Sequence, residues 1–270
     1  MKRENQMIVY ETFMEWLERI APPELAEEWD HSGIQIHCRA KSIERVLICL
    51  DVTEATILEA KEQRADMIIS HHPFIFDGIY SLDISDPMGN KIQQLIKSNI
   101  SVYSAHMTYD KSNTGNTVQM ARRLGLSGFP LSGRASGEDQ DFSVLVAELK
   151  QPILLDQLVQ KVRDGLSLTE NEIRIVDAKQ EPIFKIGLCA GSGGDYVQQM
   201  IDEKCQVFIT GDVKYHLALE AKESGITLID PGHFGSEKFF AQDVAQQLSA
   251  LAGSKVEIVV SKFDQNPFTV

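Results

Sequence analysis

Residues 68–76, IISHHPFIF, carry an apolar run straight into Ser70, His71, His72 and Pro73. A β-branched stretch stopped by polar residues and a proline reads as a short buried strand. In open α/β sheets the C-terminal ends of such strands are where ligands bind. Two later segments have the same form. Residues 100–110, ISVYSAHMTYD, take a strand into His106 and, four residues on, Asp110. Residues 226–237, ITLIDPGHFGSE, take a strand into His233 and, four residues on, Glu237. Four histidines and two carboxylates thus follow three predicted strand ends. The repetition, more than any one histidine, points to function.

The rest of the 270-residue chain sets the frame for these segments. That length allows a sizeable core, as one domain or, better, as two of about 100–150 residues. The hydrophobic share of 43% is that of a soluble globular protein, and no apolar run approaches a bilayer span. The start, MKRENQMIVYETF, has no continuous apolar region, which argues against a secretory signal. Cys38, Cys49, Cys189 and Cys205 form no close pairs and read as small buried residues in a reducing compartment, with a thiolate-held zinc the lesser option. A net charge of −13 opposes a nucleic-acid backbone, which demands clustered Lys and Arg. The acidity leaves a phosphate ester open, because a bound divalent metal inverts the local field.

In chain order, the spacing predicts a helix over 8–20 and a Gly-containing turn into an edge strand over 25–36, with Asp30 and His31 either in a plain turn or on the rim of a cleft. Strands are expected over 45–50, 67–70 and 100–104, with helices at 53–64 and 91–97. Thr53 is a cap for the first of these helices. A polar loop leads to a helix over 117–124. The Gly- and Ser-rich stretch 125–141 is the expected boundary, giving halves of 1–127 and 128–270. The second half has strands at 142–149, 172–176, 184–189, 207–210 and 227–229, and helices at 152–162, 195–203 and 213–223. A long helix over 236–251 and a final strand over 256–260 are candidates to pack back on the first half.

Sliding the chain on itself by 140 residues sets Val46-Leu47-Ile48-Cys49 against Ile186-Gly187-Leu188-Cys189, and Met67–Ser70 against Val207–Thr210. His71-His72 then faces Gly211-Asp212. Both copies go on to a helix, a strand and a His-x-x-x-carboxylate. The fold expected is therefore α/β: two related α/β domains, an internal duplication, with strand ends meeting in a cleft.

On one helical turn, residues i and i+4 share a face, so His233 with Glu237, and His106 with Asp110, can ligate one ion or adjacent ones. His71 and His72 diverge on a regular strand, but at a strand end the twist relaxes this. Nitrogen and oxygen donors without thiolate favour Zn, Mn, Fe or Co. A carboxylate bridging two ions is the usual device for a close metal pair, with a hydroxide between them as nucleophile. Gly191-Ser192-Gly193-Gly194 follows a strand and precedes a helix; it is either a phosphate-holding loop or a tight turn. Asp212 and Lys214 fall near a helix start, and His216 is either a proton carrier near the site or a core-edge imidazole.

At WDHSGIQI, ISHHPFIF, the His106…Asp110 segment, FITGDVKYHLALEA and LIDPGHFGSEKFF, the sequence resembles the Nif3-like family, also named GTP cyclohydrolase 1 type 2. The resemblance covers nearly all of the chain. It implies paired α/β domains with a dinuclear metal site in the cleft and a toroidal homohexamer. It carries the metal ligands onto His71, His72, Asp110, His233 and Glu237, and sets His106 beside the metals. His31 stands where the family usually has Asn, and Lys111 and Ser112 where small apolar residues are typical. The function expected is a cytoplasmic, dinuclear-metal hydrolase of a small phosphorylated or nucleotide-like substrate, with His106 or His216 moving a proton. The alternative is a non-enzymatic metal-binding scaffold or metallochaperone acting through a protein partner.

Overall fold

A computed structural model of the chain describes residues 8–38, 41–126, 131–136, 139–179 and 182–268. It divides into two compact units, Met1–Tyr109 with Phe239–Gln265, and Asp110–Lys238 with Asn266–Val270. Each is a mixed α/β unit built on its own sheet.

The first unit's main sheet has five strands, in the order Glu257–Val260, Arg45–Cys49, Met67–Ser70, Ser101–Ser104, Gly33–Ile36. The first four are parallel and the edge strand Gly33–Ile36 runs antiparallel. Parallel strands need covered faces, and their sequences are apolar almost throughout. Leu47, Ile68 and Val102 pack with Ile57 and Leu95 of the two crossover helices. Those helices, Glu54–Glu62 and Pro87–Lys97, start as their sequences direct. Thr53 and Thr56 form a reciprocal capping box, and Pro87 occupies the first turn. The remaining apolar cover comes from helices Tyr10–Ile20 and Phe240–Ala252, where Phe13, Leu17, Phe240, Val244 and Leu248 are fully buried. The final strand, Glu257–Val260, joins this sheet through parallel pairing with Arg45–Ile48.

The second unit has a six-stranded sheet in the order Leu131–Ser136, Asp139–Ile153, Ile183–Ser192, Val207–Gly211, Thr227–Asp230, Arg174–Val176. Its three inner parallel strands repeat the pairing of the first sheet. Val46 pairs with Met67 as Ile186 pairs with Val207, and Ile48 with Ile69 as Leu188 with Ile209. The 140-residue offset read from the sequence is thus kept in register. The connecting bonds match too: Asp66 donates its N–H to the Arg45 carbonyl at 2.8 Å, and Gln206 to that of Lys185 at 3.0 Å.

Two local expectations change. Pro152, expected in the first turn of a helix, lies instead near the end of the long strand Asp139–Ile153, and the helix is Leu155–Gly165. Strand ends tolerate proline because a missing donor there breaks no inner ladder bond. The helix expected over 236–251 is two helices, His233–Glu237 and Phe240–Ala252, and the chain passes from one unit to the other at Lys238–Phe239. Among the described residues no helix is long and apolar enough to cross a membrane, and the four cysteines are free thiols.

Candidate metal centre

In the first unit, His71 and His72 leave the Met67–Ser70 strand together. Both backbone N–H groups donate to the Leu50 carbonyl, at 3.0 and 3.2 Å, and the Ser70 hydroxyl donates to the His72 carbonyl at 2.9 Å. This curl replaces the alternation of a regular strand, so adjacent imidazoles fall on one side, with ring centres 4.8 Å apart. His106, just past Ser101–Ser104, completes the group at 5.3 Å from His71 and 5.9 Å from His72. Phe240 lies against the His71 ring, with Tyr109 edge-on behind it.

Each imidazole is held through Nδ1 by an oxygen. His71 Nδ1 is 2.9 Å from the Ala105 carbonyl, His72 Nδ1 2.9 Å from Asp51 Oδ1, and His106 Nδ1 2.7 Å from Asp30 Oδ1. A carbonyl or a carboxylate can only accept, so Nδ1 carries the proton and Nε2 presents its lone pair. That is how ligating histidines are oriented and made more basic. The Asp30 side chain is fully buried. It also accepts from the backbone of His31 at 2.8 Å and Met107 at 3.2 Å, and from the Ser32 hydroxyl. Burial alone pushes its carboxyl up, but the bonds from His106 and Ser32 outweigh this and hold it below the usual range.

In the second unit, Gly232 opens the single turn His233–Glu237, which sets the two side chains on one face. His233 Nδ1 lies 2.7 Å from Asp212 Oδ2, and Nε2 lies 3.0 Å from Glu237 Oε2. If Nδ1 donates to Asp212, Nε2 turns a lone pair toward a carboxylate oxygen. Two acceptors face each other stably only with a proton or a cation shared between them. Two donors about 2.1 Å from one ion stand about 3 Å apart at a right angle and about 3.4 Å apart in a tetrahedron. Glu237 is buried, and Gly191 makes room for it: a Cβ there would collide with Oε1. Gly191 also has φ +66°, a conformation that favours glycine. Asp110, nearly buried at the end of the Met107–Asp110 turn, accepts from the Asn116 amide at 2.9 Å. Cys189 stays a neutral thiol, since burial, Asp110 and Glu237 all raise its pKa.

The structure therefore contains buried histidine and carboxylate groups that could hold a metal ion. Their N/O chemistry suits a divalent transition ion. Other sequence candidates are not among these groups. His216 is exposed at the start of Tyr215–Glu223, its ring 5.3 Å from Tyr215. His31 is exposed, with its ring edge-on to Phe76. The Gly191–Gly194 segment is a turn whose amides are engaged, Gly191 N–H with Ser236 Oγ at 2.9 Å and Gly193 N–H with Thr210 Oγ1 at 2.8 Å. Sequence reasoning missed the orienting role of Asp51 and Asp212. A signal was present: each follows the C-terminal end of an inner parallel strand, and Asp212 stands at the repeat position of His72.

Comparison with known proteins places these residues in context. The profile of Duf34/NIF3 (NGG1p interacting factor 3) matches residues 8–267. A Campylobacter jejuni protein named GTP cyclohydrolase 1 type 2 homolog is 36% identical over 94% of this chain and 95% of its own. One of the same name from Clostridium perfringens is 31% identical over 93% and 95%. Among solved structures, a Bacillus cereus protein related to NIF3 superposes with a TM-score of 0.87 over 98% of this chain and 100% of that one. At 22% identity it supports the fold alone.

Proposed function

Because the chain belongs to the Duf34/NIF3 family, we propose that it binds two divalent metal ions and hydrolyses a small phosphorylated or nucleotide-like substrate. The observation that supports the metal most directly is that each of four imidazoles is held at Nδ1 by an oxygen. The donors in this proposal are His71, His72, Asp110, His233 and Glu237. The substrate class draws its support from the name GTP cyclohydrolase 1 type 2 homolog carried by relatives above 30% identity. Bound divalent ions would supply an activated water and charge stabilisation. The chain's own part is to fix the lone pairs, to balance the ionic charge with Asp110 and Glu237, and to hold a proton carrier. His106 takes that last role, since Asp30 holds it through Nδ1 and leaves Nε2 free to exchange a proton; His216 is the lesser candidate. An internal duplication sharing one metal cleft is part of the same proposal, supported by the conserved 140-residue register.

The test is a hydrolase screen with metal restored after chelation, GTP and simple phosphate esters being the first substrates. Metal-dependent turnover lost in His106→Gln is expected. Metal handed intact to an apo-acceptor protein without any turnover would instead favour a metallochaperone. A closed homo-oligomeric ring, proposed with the function, requires a solution mass several-fold above 30.2 kDa by light scattering.

A further inference from the structure

A cavity of about 330 Å³ lies within the second unit, with His233 and Asp212 in its wall. Arg174, at the start of the edge strand Arg174–Val176, lines it too. Arg174 stands opposite Asp230 in the sheet, and its Nη2 donates to the buried Asp230 carboxylate and, at 3.4 Å, to the Val213 carbonyl. Asp230 is itself fixed by the N–H groups of Gly232 at 2.8 Å and Val213 at 3.2 Å. The guanidinium is thus aimed by a rigid partner, yet the Arg174 side chain stays 69% exposed. Its Nε and Nη1 make no hydrogen bond among the described residues. Two phenyl rings share the walls, half-buried Phe234 and Phe268, which is 77% exposed. The Phe268 N–H donates to Asn266 Oδ1 at 3.1 Å, which fixes the backbone that carries the ring.

A planar guanidinium presents its N–H groups as a fork, which takes two acceptors side by side. Phosphate, carboxylate and the O6 and N7 edge of a 6-oxopurine all offer such a pair. Charge decides between them. Asp230 already neutralises Arg174, and Asp212 and Glu172 add two more carboxylates to the walls. Thr169 keeps Glu172 ionised, its N–H and its hydroxyl each donating to Oε2 at 2.7 Å. An anion therefore meets a net negative wall, whereas a neutral acceptor edge is not repelled. The exposed phenyl ring supplies a face on which a planar base stacks. The volume is at the lower end of small-molecule sites. We propose that this cavity seats the base of a 6-oxopurine nucleoside or nucleotide, with Arg174 donating to O6 and N7 and Phe268 stacking on the ring; this rests on the nucleotide-like substrate class proposed above. Adenine shows an amino donor where a 6-oxopurine shows O6, so it meets the fork donor to donor. Arg174 is thus the residue that selects the base, and the base it holds lies beside His233, which lines the same cavity.

Guanosine, which carries no phosphate, is the probe, titrated into the full chain and followed by ligand-observed NMR. One saturable site per chain is expected, with adenosine roughly five- to 150-fold weaker, the worth of one bidentate contact. Phe268→Ala, at an exposed position, should weaken both nucleosides by a similar factor, the worth of one stacked base. Arg174→Lys keeps a cation against Asp230 but loses the fork, and should abolish the preference for guanosine. Tyr215→Ala removes a ring that is 76% exposed on the Tyr215–Glu223 helix and should change nothing. Should Arg174→Lys fail to fold, Phe268→Ala and the two nucleosides still decide. Guanosine binding that is absent at millimolar concentration, matched by adenosine, displaced by ribose 5-phosphate or lost equally in Tyr215→Ala would overturn the site. The two proposals fail separately. Guanosine held as expected without metal-dependent turnover keeps this cavity and removes the hydrolase. GTP turnover untouched by Phe268→Ala and Arg174→Lys keeps the hydrolase and removes the cavity.

Discussion

The two units carry unlike donor sets. The first offers three imidazoles, His71, His72 and His106, packed ring to ring and tied at Nδ1 to a carbonyl and two carboxylates. The second offers one imidazole, His233, and two nearly buried carboxylates, Asp110 and Glu237. Imidazoles are neutral ligands and fix geometry without offsetting ionic charge. Carboxylates offset charge, and two divalent ions a few Å apart need that most. Under the proposed metal binding, the first set would fix where an ion sits and the second would decide whether a pair is held at all.

That contrast can be broken at its charged end. Glu237→Gln keeps the side-chain size and removes one charge from a buried position. The weaker-held ion should be lost, with hydrolysis down by orders of magnitude and the melting temperature barely moved. A role limited to the helix dipole would cost only about 0.3–1 kcal/mol and leave metal affinity intact, as competition with a chelator would show.

The orienting carboxylates come next in size. Asp51→Asn should weaken metal binding by about 10–100-fold, the usual effect of removing such a partner. Asp212→Asn should fall at the low end of that range. Asp212 is half exposed, with φ +55°, a conformation that Asn also tolerates. Equal losses in calorimetric titrations would remove the proposed difference between the units' supports.

The smallest effect concerns Asp30 and is a matter of pH. Its carboxyl lies below the usual range in the folded chain, against about 3.9 when unfolded. Its stabilising contribution is therefore complete above that value and is lost as pH falls through the folded value. Asp30→Asn should cost about 1–3 kcal/mol near neutrality, and the gap between the two proteins should close on acidification. Denaturant melts at pH 7 and pH 3 measure both; a gap constant with pH would place the stabilisation elsewhere.

Much of this was legible in the chain itself. The apolar runs ending in histidine gave the inner strands, and the 140-residue offset gave their register, because both depend on patterns local to each strand. The groups that could hold a metal were legible too, through the paired histidines and the His-x-x-x-carboxylate spacing. Their supports were not. Asp51 stands just upstream of one helix start, Asp212 near another, and Asp30 reads as a turn residue or the rim of a cleft, yet each holds an imidazole 21 or 76 positions away. A short polar side chain bonds equally well to a nearby amide or a distant ring, and only the folded backbone selects between them. The interruption at Lys238–Phe239 carries no glycine or proline to mark it. There the pattern of apolar residues runs on while the chain changes units.

The central claim, that these histidines and carboxylates hold a pair of divalent ions, is tested most directly by elemental analysis of the chain purified without oxygen. About two transition-type ions per chain are expected. Background levels, persisting after reconstitution with Mn, Fe, Zn or Co, would contradict it.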